Sequence, residues 1–244
     1  MRTIVLTPTK DGDEVLPLCL QRIGELDPQP SEVIFLPTGP APAIDEWDWD
    51  GTKTTLTERI PSENYNIFSE TAAIMQTLLN AAKKADPDYA IIVADDMQIL
   101  SKDAITSLTS WKEDLVGCAV VREGINGRNI DFFNLHHTGR GDEHIMEAIT
   151  LPPGPQGWVE TPPLPSALYN PTFVGGGGLC ISRRALQDPR LYFHPVTRED
   201  YAEDFGYCLR ARRAGYEIWV DATVRISHHL APRGRPWTEV ISAN

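Results

Sequence analysis

The sequence predicts an α/β fold: a single domain on a mainly parallel central sheet, with one long Pro-rich loop. Through the first half, short apolar runs alternate with segments of helical period, the pattern of β-α-β units. The run Tyr89 to Ala94 is continuously apolar, as a strand buried on both faces must be. With 244 residues, 41% of them hydrophobic, the chain can bury roughly 70–75% of its unfolded surface and needs no disulfide or structural metal to fold.

Thr3 to Leu6 reads as the first strand, and Glu14 to Leu26 as a helix with Leu16, Leu20 and Ile23 on one face, stopped by Asp27-Pro28. Glu32 to Leu36 is the second strand. The Pro/Gly-rich stretch Pro37 to Pro42 and the acidic run Asp45-Glu46-Trp47-Asp48-Trp49-Asp50 predict a long loop. Ser69 is expected to cap a helix from Glu70 to Ala85, and Asp86-Pro87-Asp88 to turn the chain into the buried strand, which runs straight into Asp95-Asp96. Ser101 is expected to cap a helix through Trp111, and Leu115 to Val121 is the next strand.

From Arg122 the periodicity fades, and the prolines at 152, 153, 155, 162, 163, 165 and 171 predict an irregular region over 122–174. Order returns at Gly175 to Gly178, before Leu179-Cys180-Ile181 and a short helix from Arg183. A helix from about Tyr201 to Ala214 ends at Gly215, and strands Glu217 to Val220 and Thr223 to Ile226 close the fold.

The net charge of −12 disfavours partners held by bulk electrostatics, such as nucleic acid or an anionic membrane. The balance is uneven: from Ile181 onward ten Arg face eight acids, so an anionic ligand is expected near the C-terminal third. Cys19, Cys118, Cys180 and Cys208 form no C-x-x-C pair, and reduced buried thiols are expected. The apolar stretch Ile4-Val5-Leu6 is too short for a signal segment, and nowhere do 18 apolar residues run together, so no transmembrane segment and a cytoplasmic location are expected. Neither G-x-G-x-x-G nor a phosphate-binding G-x-x-x-x-G-K-[ST] is present, which sets aside dinucleotide redox chemistry and P-loop hydrolysis.

The most specific segment is Glu203-Asp204-Phe205-Gly206-Tyr207-Cys208-Leu209-Arg210, continued by Gly215-Tyr216 and ending in Ser227-His228. It resembles the C-terminal signature of family 2 inverting glycosyltransferases of the GT-A fold, a Rossmann-related architecture. That signature is an acidic pair opening a helix, Leu-Arg within it, Gly-Tyr after it and a closing His; the 24 positions from Asp204 to His228 (228 − 204) fit it. Thr7-Pro8-Thr9, Asp95-Asp96 and Gly175 to Gly178 fall in the order such a family would have them.

The resemblance implies transfer of a sugar from a nucleotide-diphosphate sugar to a hydroxyl, with 1–121 as the donor-binding half and 175–244 as the acceptor and catalytic half. Such a transfer needs a leaving-group charge neutralised and a hydroxyl deprotonated as it attacks. By resemblance Asp204 is the general base and Glu203 orients the site or binds acceptor. Hard oxygen ligands with an imidazole suit Mn²⁺ or Mg²⁺, with Asp96, Asp95 and His228 as the candidate ligands. The family pattern is Asp-x-Asp, and Ala94 stands where its first Asp usually does, so Asp95 and Asp96 are alternatives for metal and ribose. At a helix start the macrodipole is expected to hold Asp204 ionised.

Thr7, Pro8 and Thr9 are candidates to touch the nucleotide, and Gly176 and Gly177 to let a sugar or acceptor approach the backbone closely. Arg233 and Arg235 either close over the diphosphate or lie in a solvated tail. The acid that family members often place after the second strand to read the base is replaced by Pro37-Thr38-Gly39-Pro40, leaving UDP as the default donor nucleotide. Saccharide, lipid-linked sugar, protein, small molecule and a hydroxymethylated DNA base, as in small phage-encoded relatives, are the acceptor classes; the overall acidity argues against DNA. Two other readings are nucleotidyl transfer on the same fold, for which Lys10-Asp11-Gly12-Asp13 is a poor phosphate loop, and a non-catalytic nucleotide-sugar-binding module.

Overall fold

The first apolar run becomes β1 (Thr3–Thr9), and the helix after it, α1 (Leu16–Gly24), buries Leu16, Cys19, Leu20 and Ile23. There follow β2 (Glu32–Pro37), α2 (Pro42–Glu46), β3 (Thr52–Thr55), α3 (Ile67–Ala85), β4 (Tyr89–Ile92), β5 (Met97–Ile99), α4 (Ala104–Ser110) and β6 (Leu115–Gly124). The second half holds β7 (Gly127–Ile130), β8 (Phe133–His137), β9 (His144–Ala148), β10 (Leu168–Tyr169), β11 (Cys180–Ser182), α5 (Arg183–Gln187), α6 (Glu203–Arg213) and β12 (Trp219–His228). This computed structural model describes residues 1–9, 15–58, 67–124, 127–130, 133–137, 144–148, 168–171, 174–194 and 203–228.

The main sheet runs β10-β12-β6-β11-β4-β1-β2-β3, with β5 added to β12 and β7 to β6; β8 and β9 pair separately. β4, β1, β2 and β3 are parallel neighbours. β11 is antiparallel to both β4 and β6, which makes those two parallel to each other, and β12 is parallel to β6. Six strands of the main path therefore point one way and end on one edge.

Helices cover both faces. Ile4, Leu6, Ala90 and Ile92 pack with residues of α3, α5 and α6, whereas Val5, Ile91 and Val93 pack with residues of α1, α2 and α4. Side chains alternate along a strand, so a strand covered on both sides needs apolar residues at every position. This is why Tyr89 to Ala94 reads as an unbroken apolar run.

Several expectations are corrected by contacts distant in sequence. Ser69 is the third residue of α3 and not its cap. Ser101 does not cap α4, which starts at Ala104; its hydroxyl donates to the Thr223 carbonyl at 3.4 Å and accepts from the Arg225 N–H at 3.2 Å. Those two bonds span the irregularity in β12 between Asp221 and Arg225, where two strands were expected and one continuous strand is found. Asp221, 1% exposed, holds the bulge together by accepting from the Thr223 N–H and hydroxyl and from the Trp111 indole N–H.

The loop expected from Pro37 to Asp50 contains α2, started by Pro42, and leads into the edge strand β3. The irregular region expected over 122–174 carries β7, β8, β9 and β10 and the end of β6. The prolines that suggested irregularity are confined to its latter part, and those from Pro152 to Pro165 lie outside the described residues. At the end of α6 the expected glycine stop is present: Gly215 has φ +89, and the Tyr216 N–H reaches back to the Ala211 carbonyl at 2.9 Å. All four cysteines are buried and free.

Candidate active site

The parallel pairing of β1 with β4 continues past β4. The Val93 N–H donates to the Leu6 carbonyl at 2.9 Å and the Asp95 N–H to the Pro8 carbonyl at 3.2 Å. Thr7-Pro8-Thr9 and Asp95-Asp96 thereby share the edge where the parallel strands end, the edge at which open α/β sheets bind ligands. A turn closed by the Met97 N–H on the Ala94 carbonyl (3.0 Å) leads into β5. Asp95 is buried at 9% exposure and Asp96 is half-buried. Their combined charge adds to burial in pushing the Cys19 thiol far above its ordinary pKa, and that thiol donates to the Ala94 carbonyl.

β5 runs antiparallel to the end of β12, in the register Ile226 with Ile99, Ser227 with Gln98 and His228 with Met97. The backbone of His228 thus stands opposite the residue that follows Asp96. The His228 side chain lies outside the described residues.

The glycine run crosses the same edge. Gly178 donates to the Ile92 carbonyl at 2.7 Å and accepts from the Cys118 N–H at 3.0 Å, which stitches the run between β4 and β6. Two residues earlier, the Gly176 N–H donates to Asp204 Oδ2 at 3.1 Å, while Asp204 Oδ1 accepts from the Phe205 N–H at 2.7 Å. From Asp204 the chain descends through α6 to Trp219, which pairs with Val116 near the start of β6, and β12 then climbs back to His228. One helix away from the edge and one strand back is the physical content of the 24-position spacing.

Asp204 and Glu203 are both half-buried at the first turn of α6. Asp204 stands at the helix start where the macrodipole favours its charged form, and burial acts in the opposite direction. Burial raises the Asp204 pKa, opposed by the amides of Phe205 and Gly176, and burial together with the charge on Asp204 raises that of Glu203. A carboxyl moved toward neutrality is what a general base needs in order to hold a proton briefly.

The same shift has a stability consequence. Groups whose folded pKa is raised bind more protons folded than unfolded, so stability falls as pH rises from the ordinary carboxylate range, about 4, through the raised values. Glu203→Gln is therefore expected to melt higher than the parent at pH 7.5 and to show no gain at pH 3.5. Thermal melts of both proteins at the two pH values check this; an equal or lower melting temperature for the variant at pH 7.5 would show that Glu203 ionises without penalty.

Thr7 and Thr9 are buried, and the Thr7 hydroxyl has no hydrogen-bond partner among the described residues. Such a hydroxyl at a ligand edge suits a polar ligand. An open groove of about 380 Å³ lies beside the ends of β2 and β3, lined among others by Pro37, Pro40, Pro42, Asp45 and Thr55. Asp45 is the acid of this groove and comes from α2, not from the residues directly after β2. Arg233 and Arg235 lie outside the described residues. Among the described residues no group of three His, Cys, Asp or Glu is arranged to hold a metal. The oxygen pair Asp95 and Asp96 suits a hard cation in kind, with position 228 beside it in register. Met97, which no chemical signal in the sequence singles out, packs on Gly177 at this edge.

The strand order, the helices on both faces and the loaded carboxyl edge together define a GT-A-type glycosyltransferase fold. Solved structures of that kind superimpose on nearly the whole chain. GalNAc-T7, crystallised with UDP, GalNAc and Mn²⁺, matches with a TM-score of 0.62 and 12% identity over 93% of this chain and 44% of its own. TarS of S. aureus matches at 0.58 and 15% identity over 95% of this chain and 37% of its own. The 1–349 segment of TarS in complex with UDP-GlcNAc matches at 0.55 and 14% identity over 95% of this chain. The chain spans 60% of that segment and less than half of the other two. No family model matches the sequence, and no curated protein does. Among the described residues no helix is long and apolar enough to cross a membrane.

Proposed function

We propose that the protein is a metal-dependent, inverting glycosyltransferase that moves a sugar from a nucleotide-diphosphate donor to an acceptor hydroxyl. The observation that carries this reading is the bond from the Gly176 amide to Asp204, which brings the helix-opening carboxylate to the edge that holds Asp95, Asp96 and the end of β12. In this reading Asp204 takes the proton of the acceptor hydroxyl as its oxygen attacks the anomeric carbon, from the side opposite the departing diphosphate. Glu203, the next carboxyl, orients or binds the acceptor; at Gly176 and Gly177 the side a Cβ would occupy is filled by Met75 and Met97, so a sugar would meet their backbone from the other face.

Asp96 and Asp95, with His228 as the third ligand, would hold Mn²⁺ or Mg²⁺, which would neutralise charge on the leaving diphosphate. Thr7, Pro8 and Thr9 contact the nucleotide, the groove at Asp45 receives the base, and Arg233 and Arg235 close over the phosphates. The two halves 1–121 and 175–244 divide donor from acceptor duties, and the work is done in the cytoplasm. UDP is the first donor nucleotide to try, supported by the UDP and UDP-GlcNAc complexes of proteins with this fold. Acceptors are a saccharide, a small molecule, a protein or a hydroxymethylated DNA base, the last disfavoured by a net charge of −12.

A panel of UDP, GDP, TDP and CMP sugars with Mn²⁺ tests the reading. One donor should stabilise the protein thermally, by about 2.7 kcal/mol at a hundredfold excess over Kd, and be slowly hydrolysed, both effects vanishing with EDTA. A flat response across the panel overturns the reading; pyrophosphate release from a sugar phosphate and a nucleoside triphosphate would move the assignment to nucleotidyl transfer.

A further inference from the structure

The carboxylate pair and the helix-opening carboxylate stand on different segments, 109 positions apart in sequence (204 − 95), and one side chain lies between those segments. Met97 follows Asp95-Asp96 directly, is buried at 8% exposure, and belongs to the strand paired with the end of β12. Its thioether rests on the α-carbon of Gly177, so closely that a methyl group added there would overlap Met97 Sδ and Cε. Gly177 follows Gly176, whose N–H holds Asp204 Oδ2. On the other side, the Met75 methyl stands 3.1 Å from where a Gly176 side chain would begin. A continuous line of contact thus runs from Asp96 through Met97 to Gly177, Gly176 and Asp204.

We propose that Met97 is a positioning residue: its thioether, wedged against Gly177, sets where the Gly176 amide sits and thereby fixes the Asp204 carboxylate relative to the Asp95-Asp96 end of the site. Hydrogen bonds restrain Gly178, and Gly176 donates to Asp204 and accepts from the Leu179 N–H at 3.4 Å, but among the described residues Gly177 between them makes no backbone hydrogen bond. Packing against Met97 is therefore what holds Gly177 in place, and Gly177 carries the Gly176 amide with it. Methionine suits this place because its unbranched thioether fills an irregular gap without imposing a fixed shape. A displacement of about 1 Å at a reacting group is enough to lower turnover about a hundredfold.

The kinetic part rests on the glycosyltransferase reading, and the test separates the two. Met97→Ala should lower kcat at least about tenfold with donor KM changed less than about twofold, and Met97→Leu, which keeps the volume, should restore most of the loss. Gly177→Ala should be impaired as well, because its methyl displaces the thioether. The double variant, in which that methyl occupies part of the space Met97 vacates, should recover toward the parent, a non-additivity expected only for groups in contact.

The readout that needs no activity is the ¹H–¹⁵N resonance of the Gly176 amide. In Met97→Ala it should move toward its position in Asp204→Ala, where the acceptor is gone, and in Met97→Leu it should stay. If the parent transfers no sugar but the resonance moves as described, the function reading fails and the coupling stands. The coupling fails if the resonance stays put in Met97→Ala, or if the two alanine substitutions combine additively.

Discussion

On the proposed glycosyltransferase reading, Asp204→Asn should lower sugar transfer about 10³-fold, within the range general-base catalysis supplies, while donor binding stays intact. Asparagine is nearly isosteric, and its carbonyl oxygen can keep one of the two amides that Asp204 accepts, from Gly176 or from Phe205, while its NH2 group faces the other. What it loses is the capacity to take a proton. At pH 7.5 the variant should melt close to the parent, because removing a carboxylate that burial penalises is set against the loss of one amide hydrogen bond. In the parent, kcat should rise with pH through the raised carboxyl range, near neutrality and not near 4, because the base must be deprotonated to act. Initial rates with the donor found in the panel, donor thermal shifts and a pH profile of the parent measure all three. Undiminished turnover in the variant would leave Asp204 as a helix cap only. A parent that binds a donor and transfers to nothing would be a binding module.

The second large effect is on stability. Gly178 has φ +79, and an added Cβ would lie 2.8 Å from Ile226 Cδ1 and 3.0 Å from Cys118 Cβ. Alanine there incurs the left-handed backbone penalty of about 1–2 kcal/mol and an overpacking penalty of about 1–3 kcal/mol. The backbone cannot move aside easily, because Gly178 is bonded on one side to Ile92 and on the other to Cys118. Gly178→Ala should therefore be destabilised by about 2–5 kcal/mol, a large part of the 5–15 kcal/mol that holds a typical domain folded. Gly39→Ala is the control: nothing lies within 4 Å of its added Cβ, and it should stay within about 0.5 kcal/mol. Urea denaturation of the three proteins decides it; a cost below about 1 kcal/mol at position 178 would mean that the run relaxes despite its bonds.

Much of the fold was legible in local pattern. The unbroken apolar stretch ending in Asp95-Asp96 is a central strand, and the Ala-Gly-Tyr stop at the end of α6 is present as read. The 24-position spacing brings the first turn of α6 and the end of β12 to one edge. The errors cluster where a local signal had a distant competitor. Ser101 reads as a cap, but Thr223 and Arg225 take its hydroxyl. Asp221-Ala222 reads as a break between strands, but a buried carboxylate satisfies the bulge and lets one strand continue. The region after Arg122 reads as loop because its later prolines colour the whole, although β7, β8 and β9 precede them.

Periodicity and turn residues are properties of neighbours in the chain, so the sequence alone determined the alternation of strands and helices, the charge asymmetry and the carboxylates available for chemistry. Strand order is a property of the folded whole. Only the tertiary structure decided that Met97 meets Gly177, that Gly176 holds Asp204, and that burial raises the pKa of both carboxyls at the start of α6. Each depends on the dielectric surroundings and contacts of groups far apart in sequence, which no local pattern encodes.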